Sequence, residues 1–71
     1  MTIEKIRDDI HSHMGNVARI THNEGRNRIL EYEGKVVEVY RNIFVIMDKD
    51  SKRSFSYHDV LTDTTKVSFK N

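Results

Sequence analysis

The sequence predicts a mainly β domain with one α-helix at its N-terminus, and three observations carry that expectation. Apolar residues first recur at helical spacing and then, beyond Gly15, at alternate positions. Short runs of turn-forming residues divide the second region into strand-length pieces. The chain has 71 residues and no cysteine, so a single marginal core must form without disulfide or thiolate staples. A small barrel, a tightly docked helix or association with a second copy would each answer that need.

The elements follow in order. Ile3, Ile6, Ile10 and Met14 fall on one helical face. Thr2 suits the N-cap, Glu4 suits the positive end of the helix dipole, and Gly15-Asn16 suits the stop. The spacing therefore predicts a helix over about 2–14 with a wet face of Lys5, Asp8, Asp9 and Ser12. Each buried isoleucine contributes about 1.5–3 kcal/mol, so such a helix persists only when docked. Strands are expected over 17–22 and 26–32, joined by Asn23-Glu24-Gly25, where Gly25 accepts positive φ without strain. Gly34 predicts a bulge or a sharp bend. The pattern resumes over 35–40, turns at Arg41-Asn42, and continues over 43–48. After a polar loop at 49–52, Phe55 and Tyr57 alternate with Ser54 and Ser56. Ser56 and Asp59 have capping-box spacing, which predicts one helical turn over 57–61. Val67 and Phe69 mark a last strand. One domain spans 1–71, with the helix at about 2–14 and a barrel at about 16–70. A five-stranded SH3-like barrel of the Sm-like kind, which carries an N-terminal helix, is the expected architecture, ahead of an OB-type barrel.

A two-residue turn at Arg41-Asn42 sets Val39 against Phe44 and Val37 against Ile46 on the inner side. Ile43, Val45 and Met47 then point outward with Val36 and Tyr40. A strand apolar on both faces should be covered on both. The helix, through Ile3, Ile6 and Ile10, is the expected cover. Failing that, Ile43, Val45 and Met47 form an interface in a homodimer or with another protein.

The net charge of +1 does not by itself point to nucleic acid. Glu4, Asp8 and Asp9 among isolated isoleucines do not read as a signal peptide. The longest apolar run, Ile43 to Met47, is too short to span a membrane, and a cytoplasmic protein is expected. Asp48-Lys49-Asp50 with Asp59 superficially resembles a calcium loop, but Lys52 and Arg53 would occupy its fifth and sixth positions, where the sharp turn needs glycine. His11 and His13 lie on different helix faces, and His22 and His58 are remote in sequence. The three glycines are scattered, so no phosphate-cradling loop exists, and no serine sits in a nucleophile elbow. No catalytic residue, cofactor site or metal site is expected. A basic hairpin is the one polar cluster: Arg19, Arg26 and Arg28 lie on two strands joined by the 23–25 turn, with Arg26 and Arg28 on one strand face. With Lys35 and Arg41 they are the candidate nucleic-acid-binding residues. Glu24, Glu31 and Glu33 dilute that field, and Tyr32 and Tyr40 are the available stacking rings.

Several ordered pieces resemble one family. They are Ile20-Thr21 with Asn23, Gly25 and Arg26; Glu33-Gly34; Glu38-Val39-Tyr40; Ile43-Phe44-Val45-Ile46; and Ser56-Tyr57-His58-Asp59-Val60-Leu61-Thr62. In order and spacing they resemble the Veg family of short bacterial regulatory proteins, from Gly15 onward. The pattern departs at Asn42, where proline is expected, and at Glu24, where a smaller residue is expected. The resemblance implies a cytosolic, non-enzymatic protein of low-G+C Gram-positive bacteria. It further implies promotion of biofilm formation by countering repression of matrix genes, through binding of a regulatory protein. It carries over no catalytic residues.

Overall fold

The computed structural model describes residues 2–70. Helix α1 spans Ile3–Ser12. Thr2 caps it: the threonine hydroxyl accepts the Lys5 amide at 3.2 Å, which satisfies one of the donors a helix start leaves unpaired. His13 closes the helix and Gly15 follows with φ +85°. The expected positions 2 and 14 are thus the cap and the exit turn.

Five strands follow: β1 (Val17–Asn23), β2 (Ile29–Val39), β3 (Ile43–Asp48), β4 (Ser51–Ser56) and β5 (Thr65–Lys70), with a short helix α2 (Tyr57–Leu61) between the last two. They form one antiparallel sheet in the order β4-β3-β2-β1-β5. The sheet is open. Its edges are β4 and β5, and no ladder joins them among the described residues, so barrel closure is absent from the hydrogen-bonding pattern.

Strand β2 is the spine on which the sheet folds. Its first half pairs with β1, from Asn23 opposite Ile29 to Val17 opposite Lys35. Its second half pairs with β3, from Lys35 opposite Met47 to Val39 opposite Phe44. The division falls beside Gly34. An added Cβ there would stand 2.5 Å from the Met47 carbonyl oxygen, so only glycine lets β3 approach so closely. The bulge expected at Gly34 lies instead at Val37, between the Val36 and Glu38 pairings. That bulge reverses the expected role of Val36. Val36 pairs with Ile46 and is buried, and its main chain bonds Gly15 and Asn16.

Folding over brings the two halves of the sheet face to face. The Phe55 ring of β4 lies 5.5 Å from Tyr32 of β2 and 6.0 Å from His22 of β1, although two strands separate β4 from β1 in the sheet. The core comprises Ala18, Ile20, Val36, Phe44, Ile46, Phe55 and Tyr57, sealed by Ile6 and Ile10 of α1. The Ser56 hydroxyl caps α2 by accepting the His58 amide at 3.0 Å, as its spacing from Asp59 predicts. α2 begins with the fully buried Tyr57, whose hydroxyl donates to the Tyr40 carbonyl at 2.7 Å. Burial pushes that phenol's pKa up.

Candidate interaction site

The outer side of β3 is the first candidate. Side chains alternate along a strand, so Phe44 and Ile46 enter the core while Ile43, Val45 and Met47 face away. Helix α1 does not cover that outer face, contrary to expectation. Its isoleucines join the inner cluster with Phe44 and Tyr57. The physical reason is hydrophobic: in that cluster Ile6 and Ile10 are almost completely removed from water. Ile43 and Met47 consequently remain 38 % and 36 % exposed.

Val45 is different, at 8 % exposure. Its neighbours across the ladder are Glu38 on β2 and Ser54 on β4, and Lys52 stands opposite Met47. The Lys52 ammonium meets the Glu38 carboxylate at 3.4 Å. Because β3 runs between those two strands, this ion pair arches over it beside Val45. The Tyr40 hydroxyl donates to the other Glu38 oxygen. These bonds, the Tyr40 one first, hold the Glu38 carboxyl below its usual pKa, and the Tyr40 phenol is raised in return. Of the three interface candidates, Ile43 and Met47 are available to a partner and Val45 lies under a polar strap.

The five candidate nucleic-acid residues do not gather. Arg19 lies outward on β1, and its guanidinium is 3.5 Å from Glu33 on the paired strand. Arg26 is not in a strand. It and Asn27 adopt positive φ, +50° and +63°, within a turn that runs from Glu24 to Arg28. Arg28 sits at the end of that turn, 3.7 Å from Glu24. The expected shared strand face of Arg26 and Arg28 therefore does not form. Lys35 lies midway along β2, and Arg41 lies at the β2–β3 turn, at the opposite end of β2 from Arg26.

Arg41 instead belongs to a cluster that sequence reasoning missed. Arg7 of α1 donates to the Arg41 carbonyl at 3.4 Å. Arg7, Asp8, His11, Tyr40 and Arg41 line a shallow cleft between the helix and the β2–β3 turn. No local signal could pair residues 34 positions apart; the contact arises only when α1 docks. The structure contains a second groove along the free edge of β4. There the Arg53 guanidinium lies 4.5 Å from the centroid of Tyr32, and His22, which also lines the groove, bonds the buried Thr65 hydroxyl of β5 at 2.7 Å. Among the described residues no three His, Asp or Glu side chains are grouped to hold a metal ion, and no helix is long and apolar enough to cross a membrane.

A family model described as biofilm formation stimulator Veg matches residues 1–68. The chain belongs to the Veg family. The match includes α1 as well as the strands, so the helix that fills the core end is part of the Veg pattern and not an appendage. The description names a stimulator, which is a regulatory role. A search of curated proteins gave no match.

Proposed function

We propose that this Veg-family chain is a cytoplasmic, non-enzymatic regulator that stimulates biofilm formation by binding another protein, and that this binding counters a repressor of matrix genes. The observation that carries the reading is the outer face of β3. Ile43 and Met47 stay partly exposed on the strand whose other face anchors the core. Ile43 and Met47 stand on either side of the Lys52–Glu38 strap that crosses β3 at Val45, so the face offers a partner two apolar contacts with a charge pair between them. The strand order and the folding of β2 support an SH3-like, Sm-like architecture, in which the two sheet halves enclose the core and function resides on outer surfaces.

Nucleic-acid binding through Arg19, Arg26, Arg28, Lys35 and Arg41 acting as one surface is disfavoured. Two of the five are ion-paired, and the turns that carry Arg26 and Arg41 lie at opposite ends of β2. The test is a pair of substitutions, Ile43→Ser and Met47→Ser, introduced together into the chain in its host. Unchanged thermal stability with lost biofilm stimulation is the expected result. Full stimulation by the folded double variant would refute the role of this face.

A further inference from the structure

We propose that the cleft between α1 and the β2–β3 turn binds a single-stranded nucleic acid, with Tyr40 as the stacking platform and Arg7 and Arg41 as the phosphate contacts. This site adjoins the outer face of β3, since Tyr40 bonds the Glu38 carboxylate of the strap there, but it does not depend on the protein-binding reading. Its argument begins with the charges. Arg7 makes one long bond, to a main-chain carbonyl, and the Arg41 side chain has no carboxylate partner among the described residues. A guanidinium has five N–H donors, so most of their capacity is unspent. By contrast, Arg19 and Arg28, which sequence reasoning favoured, each face a glutamate. Asp8 shares the cleft but lies beyond ion-pair distance of both guanidinia.

The aromatic group completes the site. Tyr40 is 51 % exposed, yet its ring is not loose. Its hydroxyl is tied to Glu38 and its carbonyl accepts the buried Tyr57 hydroxyl. Tyr40 lines the cleft together with Arg7 and Arg41, and the hydroxyl bond to Glu38 leaves its ring less entropy to lose on stacking. A fixed aromatic surface flanked by unpaired cations matches the alternation of base and phosphate in a single strand. A phosphorylated peptide would use the arginines but has no need of the ring, so it is the less favoured occupant.

The test uses the full chain and a fluorescently labelled oligouridine, read by anisotropy across a salt series. For single strands the logarithm of affinity falls with log salt by about 0.7 per phosphate contact. The combined Arg7→Gln and Arg41→Gln variant should flatten the slope by about 1.4, the value for two contacts. Tyr40→Ala should weaken binding by roughly 5- to 150-fold, the worth of one stacked base, and leave the slope unchanged. Arg26→Ala with Arg28→Ala should bind as the parent does. Circular dichroism confirms that each variant is folded, and Arg41→Gln alone, which preserves the carbonyl that Arg7 uses, should still remove one contact. Three outcomes would overturn the proposal: no binding at low salt, binding lost in the Arg26 and Arg28 variant, or binding indifferent to Tyr40→Ala and displaced by a phosphopeptide.

Discussion

Replacing Gly34 with alanine should destabilise the protein, against the usual sign for such a change in a strand. Alanine restricts the unfolded chain more than glycine does, so within a strand the exchange ordinarily stabilises by about 0.5–1 kcal/mol. At Gly34 the new Cβ would sit 2.5 Å from the Met47 carbonyl oxygen, 2.8 Å from its carbonyl carbon and 3.2 Å from the Asp48 nitrogen. All three are main-chain atoms and cannot rotate away. Relief requires β3 to move off β2 at the Lys35–Met47 pair, where their ladder begins. Forcing extra volume into a packed site costs about 1–3 kcal/mol. The clash is with backbone, so the upper end of that range applies, and after the entropic gain a net loss of about 2 kcal/mol is expected. A chain of 71 residues has roughly 4–11 kcal/mol of stability in all, so the shift is readily measured by urea unfolding followed by circular dichroism. Amide exchange adds the location: protection should fall at Met47 and Asp48 and hold in the β1–β5 pairing. A variant as stable as the parent, or more stable, would refute the reasoning that Gly34 exists for close strand approach.

Three further predictions follow from the core and from one surface strap. Phe44→Ala removes a fully buried ring that lies 5.7 Å from Tyr57 and 5.8 Å from Phe55; it should cost about 3–5 kcal/mol, and a melting temperature within a few degrees of the parent would place Phe44 outside the core. Ile10→Ala, at a helix residue only 2 % exposed, should cost about 2–5 kcal/mol; a loss below 1 kcal/mol, as for an exposed site, would mean that α1 is not docked on the core end. Glu38 should titrate below an ordinary glutamate because Tyr40 and then Lys52 bond its charged form. The lowered folded pKa makes its contribution present above the unfolded value and lost as pH falls through the folded one. Tyr40→Phe should raise the Glu38 midpoint in a carbon-detected NMR titration, and an unmoved midpoint would break the strap.

Much of the fold was legible because each element obeyed a local rule. The isoleucine spacing with Thr2 and Gly15 located α1, and the turn at Arg41-Asn42 is closed by the Tyr40 amide on the Ile43 carbonyl. Ser56 and Tyr57 marked the start of α2, which they form by capping and burial. The errors share a cause, in that they depend on where strands meet. The bulge at Val37 carries no glycine to signal it, and it turned Val36 inward. The turn after β1 uses positive φ at Arg26 and Asn27 as well as at Gly25 and runs to Arg28, so it takes up three residues expected in a strand. The docking face of α1 followed from the fold of β2 around Gly34, which periodicity along the chain does not encode. Val45 was misjudged for the same reason, since its cover comes from Glu38 and Lys52 on two other strands. For the sites, residue type alone singled out the cations, and pairing decided which of them remain unpaired.

The claim that the outer face of β3 meets a protein is tested most directly by placing a photocrosslinking residue at Met47 in the full chain inside living cells. Ile29, exposed at the far end of β2 from the β2–β3 turn, serves as the control position. The expected result is a light-dependent adduct of discrete mass from position 47 but not from 29, resistant to nuclease, whose partner is identified by mass spectrometry as a regulator of matrix genes. No adduct at 47 in cells where the chain stimulates biofilm formation, or equal adducts at 47 and 29, would contradict it.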